Sequence, residues 1–219
     1  MKPSSVIFDL DGTLIDNNYY HIEAWKVFYQ QHGIPWSDED YMKKINGRIN
    51  REIFNYLLQR ELPEAEILLY TEEKEALYRD LYAPHIRPVE GLTDLLDALK
   101  EAGVPMAVAT SGIPRNIDFM FEHLPIRDYF VKVIDSTYIT NGKPDPEIFL
   151  KAAAFANADP AFSIAFEDSV AGVRSAKRAG MKVVGLTTTH TSEDIHEADL
   201  IVKDYTELNL PVLFQLLQA

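Results

Sequence analysis

Near the start of the chain, Val6-Ile7-Phe8-Asp9-Leu10-Asp11-Gly12-Thr13 sets two carboxylates one residue apart at the end of an apolar run. If that run is a buried strand, alternation turns Asp9 and Asp11 to the same side, where both could face one metal ion and one substrate. Open α/β sheets keep their sites at the carboxyl ends of strands. Asp-Gly after an apolar run is also a turn signal, so the pair alone does not decide the matter. A second run, Val108-Ala109-Thr110-Ser111-Gly112, ends in hydroxyls and backbone N–H groups that can hold an anion without a full positive charge. In a third segment, Gly142-Lys143-Pro144-Asp145-Pro146, a lysine stands between turn residues at a helix start. The fourth, Ile164-Ala165-Phe166-Glu167-Asp168-Ser169, delivers another acidic pair, in which Asp168 or Ser169 could equally serve as an N-cap. Each segment by itself has an ordinary structural explanation. In combination they bring two acids, a hydroxyl with amides, a lysine and two acids to one end of a sheet. Clustered carboxylates require a divalent cation, and oxygen ligands in a chain without cysteine and with no histidine near these acids point to Mg2+.

The elements that would position these residues are legible as apolar runs at Val6 to Phe8, Met106 to Ala109, Val131 to Ile134, Ile164 to Phe166, Val183 to Leu186 and Leu200 to Val202. They read as buried strands, each separated from the next, from residue 91 on, by a stretch of helical spacing. That alternation predicts an α/β fold, a Rossmann-like doubly wound parallel sheet covered on both faces. Helices over Leu92 to Ala102 and Ser169 to Ala179 stop at Gly103 and Gly180, and another begins near Pro114. Between the first strand and residue 90 no strand pattern occurs. Tyr20, Ala24 and Phe28 mark a helix that ends at Gly33, a second starts at Ser37, and a third follows Asn50. Glu64 to Tyr82 reads as a longer amphipathic helix with Ile67, Leu68, Leu77 and Leu81 on its apolar side and a solvated acidic face. Residues 1–16 and 87–219 are thus expected to form the sheet domain, and residues 17–86 an inserted helical domain reached through two adjacent linkers.

The 219 residues suffice for one ordinary domain and a smaller appendage, and 47% apolar residues supply a core that needs no disulfide or zinc. A net charge of −13 argues against broad attraction to nucleic acid or an anionic membrane. Neither a leader nor a membrane-spanning run is recognisable, so a cytoplasmic protein, monomeric or weakly homo-oligomeric, is expected.

With these four segments in this order, FDLDGTLID, VATSG, the Lys143 of GKPDPEIF and FEDSVAGVRSAKRAG, the chain resembles the haloacid dehalogenase superfamily of phosphotransferases along nearly all its length. The helical insert is similar to the type-one cap of the branch containing β-phosphoglucomutases and phosphoglycolate phosphatases. The resemblance implies that Asp9 is a nucleophile forming an aspartyl-phosphate and Asp11 a general acid and base. It implies a Mg2+ ion on the Asp9 carboxylate, the Asp11 backbone carbonyl and Asp168, with Glu167 bound or supporting, and transferring oxygens held by Thr110, Ser111 and Lys143. In the cap, His21 matches a histidine coupled to closure, and Asn46, Gly47, Arg48 and Arg51 match a substrate-specificity loop, with Asn46 where the mutases carry lysine. That departure, and Thr13 where mutases are apolar, favour a phosphatase of a small phosphorylated, sugar-like metabolite. A β-phosphoglucomutase-type mutase stays the alternative, and a receiver-like phospho-accepting module a remote one.

Overall fold

Ser5, Val6, Ile7 and Phe8 are all buried in β1 (Ser5–Phe8), as expected of a strand covered on both faces. The computed structural model describes residues 2–45 and 50–218. In it β1 pairs in parallel with β2 (Met106–Ala109) on one side and with β4 (Ser163–Glu167) on the other. The remaining strands, β3 (Lys132–Ile134), β5 (Lys182–Leu186) and β6 (Leu200–Val202), complete a six-stranded sheet of order β3-β2-β1-β4-β5-β6. The order reverses between β1 and β4, which makes their carboxyl ends the crevice where such sheets bind ligands.

Helices α5 (Leu92–Glu101), α6 (Pro114–His123), α7 (Glu147–Phe155), α8 (Val170–Arg178) and α9 (Leu210–Leu216) belong to the same unit. In α5 the buried residues Leu92, Leu95, Leu96 and Leu99 fall on one helical stripe. One core joins Ile7, Ala107, Ile134, Phe149, Val173 and Val183. Phe8 stacks on Phe166 with centroids 4.9 Å apart, and Tyr205 lies 5.3 Å from Phe166. Truncating a ring so enclosed costs about 3–5 kcal/mol. These contacts fix the strands whose ends carry the acids.

Two expectations for the sheet are corrected. The outer strands are only partly buried, and Val131, read from its sequence as a buried strand residue, precedes β3 and is exposed. Edge position explains this, since an outer strand has a neighbour on one side alone. Between β5 and β6 the described chain forms turns in place of a helix. There the Asp194 carboxylate accepts from the Thr191 N–H and hydroxyl, and Ile195 N–H bonds Thr191 O, so one closed turn forms and does not propagate.

Contacts separate Tyr19–His85 from the rest as a second unit. It consists chiefly of α1 (Asn18–Gln31), the short α2 (Asp38–Asp40) running into a π-helical turn at Tyr41–Ile45, α3 (Asn50–Leu58) and α4 (Glu64–Tyr82). Ser37 caps α2 by accepting from Asp40 N–H. Trp25, Phe28, Phe54, Leu57 and Ile67 form its own core. The buried stripe of α4 matches the expected one only in part, at Ile67 and, less deeply, Leu77. Ile67, Lys74, Tyr78 and Tyr82 face inward, Leu68 is exposed, and Leu77 and Leu81 are half-buried. Spacings near multiples of 3.6 put the aromatic set on one face, and aromatic area there outweighs the scattered leucines.

Candidate active site

Asp9 leaves the end of β1 with its backbone N–H still bonded to Phe166 O at 3.0 Å, so the sheet ladder itself aims the side chain. The carboxylate is buried, and its Oδ1 accepts from Lys143 Nζ at 2.5 Å. Lys143 donates equally closely, at 2.5 Å, to Glu167 Oε1 and at 3.1 Å to Ala109 O. The other oxygen of Glu167 accepts the backbone N–H groups of Asp168 and Ser169, each at 3.1 Å. Ser169 is the residue that caps α8, accepting from Gly172 N–H at 3.0 Å. Of the two N-cap candidates in the sequence, Asp168 is therefore left for another purpose. Its backbone carbonyl accepts from His190 Nδ1 at 3.1 Å, which holds the strand end in place.

Two glycines let the acids in. At Gly12, with φ +73°, a Cβ would stand 2.0 Å from Asp168 Oδ2. At Gly172 a Cβ would stand 1.8 Å from Glu167 Oε1. Neither side chain could keep its place beside an alanine.

Burial pushes the Asp9 carboxyl well up, Lys143 opposes this, and the charges of Glu167, Asp168 and Asp11 add to it. Burial, with Glu167 next, pushes Asp168 up to about 8, although a Thr189 hydrogen bond pulls the other way. Burial works against the Lys143 ammonium, but Asp9 and Glu167 outweigh it and hold the cation above its ordinary value. One lysine does not balance these acids. Asp9, Glu167 and Asp168 can each bring an oxygen within 4.8 Å of the others, and such a buried, all-oxygen set fits a hard divalent ion such as Mg2+.

Asp11 lies in the turn beyond Asp9, where its Oδ1 accepts from Asn17 Nδ2 at 2.5 Å. Thr110 follows β2, is buried, and turns its hydroxyl oxygen to the Gly112 N–H at 2.9 Å, while Ser111 beside it is exposed. The ends of β1, β2 and β4 thus bring Asp9, Glu167, Asp168 and the Lys143 ammonium, with Ala109 preceding Thr110, into one cluster. In the helical unit Lys74 Nζ donates to His21 Nδ1 at 3.0 Å and to Glu75 at 2.6 Å, and the His21 ring stacks on Tyr78 at 3.8 Å. Arg51 is engaged by Glu64 and by Leu62 O. Asn46, Gly47 and Arg48 lie outside the described residues. Sequence reasoning missed Asn17, His190 and Lys74. A buried lysine on an acidic helix carries no periodicity signal, whereas Asn17, polar and next to the motif, could have been suspected.

A family model described as haloacid dehalogenase-like hydrolase matches residues 6–186. The chain is 34% identical over 206 residues to the validoxylamine A 7'-phosphate phosphatase of Streptomyces hygroscopicus subsp. limoneus, covering 94% of this chain and 95% of that one. It is also 34% identical over 221 residues to the β-phosphoglucomutase of Bacillus subtilis (strain 168), covering 96% and 94%. Among solved structures, a HAD hydrolase of family IA, variant 3, from Entamoeba histolytica HM-1:IMSS superposes with a TM-score of 0.90 at 29% identity, covering 100% of both chains.

Proposed function

Because this chain belongs to the haloacid dehalogenase-like hydrolases and is an enzyme of the phosphatase or phosphoglucomutase kind, we propose that it hydrolyses the phosphate ester of a small, sugar-like metabolite through a phosphorylated Asp9. The observation that carries the reading is the Asp9 carboxylate, buried at the crevice end of β1 and gripped by Lys143 at 2.5 Å. A carboxylate so placed is fixed in direction and shielded from water, as a nucleophile toward phosphorus needs to be.

Asp9 attacks phosphorus as Asp11 gives a proton to the departing oxygen; in the second half Asp11 takes a proton from water, which attacks the phosphoryl group and frees Asp9. Lys143 and the amides after Thr110 hold the transferring oxygens, and Lys143 also keeps Asp9 and Glu167 from repelling each other. Asp9 and Asp168 would hold the Mg2+, with Glu167, whose oxygens serve Lys143 and the start of α8, in support. When bound, the ion supplies the charge neutralisation that lets one anion approach another. His21 and the residues Asn46, Gly47, Arg48 and Arg51 are assigned to substrate recognition, Arg51 from the first turn of α3.

Transfer within a sugar phosphate is the second reading, supported by the B. subtilis relative. Asn46 in place of lysine, and Thr13, weigh toward hydrolysis. Phosphorus NMR of β-glucose 1-phosphate with enzyme, Mg2+ and a trace of β-glucose 1,6-bisphosphate separates the two. Hydrolysis predicts inorganic phosphate from this ester or from others in a sugar-phosphate panel, and no glucose 6-phosphate. Appearance of glucose 6-phosphate at a catalytic rate would establish the mutase instead.

A further inference from the structure

We propose that Asn17 is a positioning residue for Asp11, fixing which carboxyl oxygen carries the proton delivered to the leaving group. The inference rests on the reading of Asp11 as general acid given above. Asn17 is fully buried, and its side-chain amide spans from the Gly12 backbone N–H to the Asp11 carboxylate. Its Oδ1 accepts the Gly12 backbone N–H at 3.1 Å. Since an N–H can only donate, that bond decides the orientation of the amide: the oxygen faces Gly12, and the NH2 faces Asp11. The NH2 donates to Asp11 Oδ1 at 2.5 Å.

An oxygen receiving an amide hydrogen at that distance is a poor seat for a second one, because two hydrogens would oppose each other across the contact. A protonated Asp11 therefore carries its hydrogen on Oδ2. Oδ2 is the oxygen turned toward the loop after β2, 3.6 Å from the point where a Cβ on Gly112 would stand. That loop is the one assigned to the transferring phosphoryl group. In the step concerned, a P–O bond forms to Asp9 and the ester P–O bond breaks. The Asp11 O–H bond breaks with it, its hydrogen passing to the departing oxygen to leave an alcohol and an Asp11 carboxylate. Losing the Asn17 donor removes this bias between the two carboxyl oxygens, so the hydrogen can stand on Oδ1, in a direction that does not serve the departing group.

The test is the dependence of kcat/KM on the leaving group, read with 4-nitrophenyl, phenyl and benzyl phosphate at saturating Mg2+. These esters are similar in size but differ in how much they need a proton. Because kcat/KM reports steps up to release of the first product, the later role of Asp11 as base does not enter. Asp11→Ala sets the reference, with a loss that steepens from 4-nitrophenyl to benzyl phosphate. Asn17→Ala is expected to lose about ten- to a hundredfold more on benzyl than on 4-nitrophenyl phosphate. Asn17→Asp keeps the acceptor for Gly12 N–H but loses the donor, so it should show the same slope. Asn17→Ser, whose hydroxyl can accept from Gly12 and donate to Asp11, should recover part of the benzyl rate; this pair decides the matter even if the alanine variant does not fold. A purely structural role predicts equal losses on all three esters. That result, with a steep Asp11→Ala, overturns the inference about Asn17; a flat Asp11→Ala overturns the general-acid reading itself.

Discussion

At the scale of single residues the site is dominated by charge that has been taken out of water. Asp9, Glu167 and Asp168 are buried around one lysine, which pairs with Asp9 and Glu167 and leaves an excess of negative charge that the proposed cation would balance. Asp9→Asn preserves shape and removes the proposed nucleophile, and turnover is expected to fall at least about a thousandfold. Circular dichroism should show the fold intact, and residual activity above about a tenth of wild type would contradict the assignment. Lys143→Ala leaves two buried carboxylates unpaired, which costs about 3–5 kcal/mol and is measurable by urea denaturation of the metal-free protein. The pH dependence follows from Asp168. Burial pushes its carboxyl up to about 8, so the folded metal-free chain keeps a proton that the unfolded chain releases near 3.8. Its contribution to stability is complete below the lower value and is lost as pH climbs through the higher one. Mg2+ competes with that proton, so the rise in Tm on adding Mg2+ to chelator-treated protein should grow from about pH 5.5 to about pH 8. A rise independent of pH would mean that these carboxylates are not where the ion binds.

At the scale of elements, the chemistry is set by how closely one element may approach another. Gly172 lies in the first turn of α8, where alanine would ordinarily stabilise the helix by about 1 kcal/mol. Here a Cβ would meet all three carboxylate atoms of Glu167 at 1.8 to 2.1 Å, so the sign reverses. Gly172→Ala should weaken Mg2+ binding and activity by about ten- to a hundredfold, measured by titration calorimetry and initial rates. Gly142→Ala, with nothing within 4 Å, is the matched control and should change neither. Much of this arrangement could be read from residues, because strand ends in a parallel sheet converge and motif residues follow the apolar runs directly. Thus Val6-Ile7-Phe8 and Ile164-Ala165-Phe166 already place Asp9, Glu167 and Asp168 at strand ends. The stripe of α4 is not placed in this way, since Leu68 and Leu77 count as apolar as readily as Tyr78, and only packing decides between them. Lys74 was hidden for a related reason: its ammonium lies 5.3 Å from the Trp25 ring and 3.0 Å from His21, contacts with no signature in sequence spacing. The turn between β5 and β6 escapes the periodicity, because Thr191 and Asp194 satisfy each other locally, a competition that hydrophobic spacing does not register.

For the whole molecule, the consequence lies in having two cores on one chain. No helix of the described residues is long and apolar enough to cross a membrane, and the apolar residues are divided between the sheet core and the cluster around Phe28 and Phe54. The proposed metal and phosphoryl sites all belong to the first unit, whose segments end at Asn18 and resume at Ile86. Both tryptophans of the chain, Trp25 and Trp36, belong to the second. Tryptophan emission therefore reports the helical unit alone, while calorimetry reports both. A ligand stabilises what it binds by an amount that grows with its concentration over its Kd, about 2.7 kcal/mol at a hundredfold excess. If units with separate cores unfold separately, Mg2+ with orthovanadate, an analogue of the phosphoryl group, should raise one calorimetric transition by several degrees. The tryptophan-detected transition should stay within about 2 °C of its position without ligand. A tryptophan transition that rises in step with the calorimetric one would show that the two cores melt as a single cooperative body, with binding energy from the carboxylate cluster reaching Trp25 and Trp36.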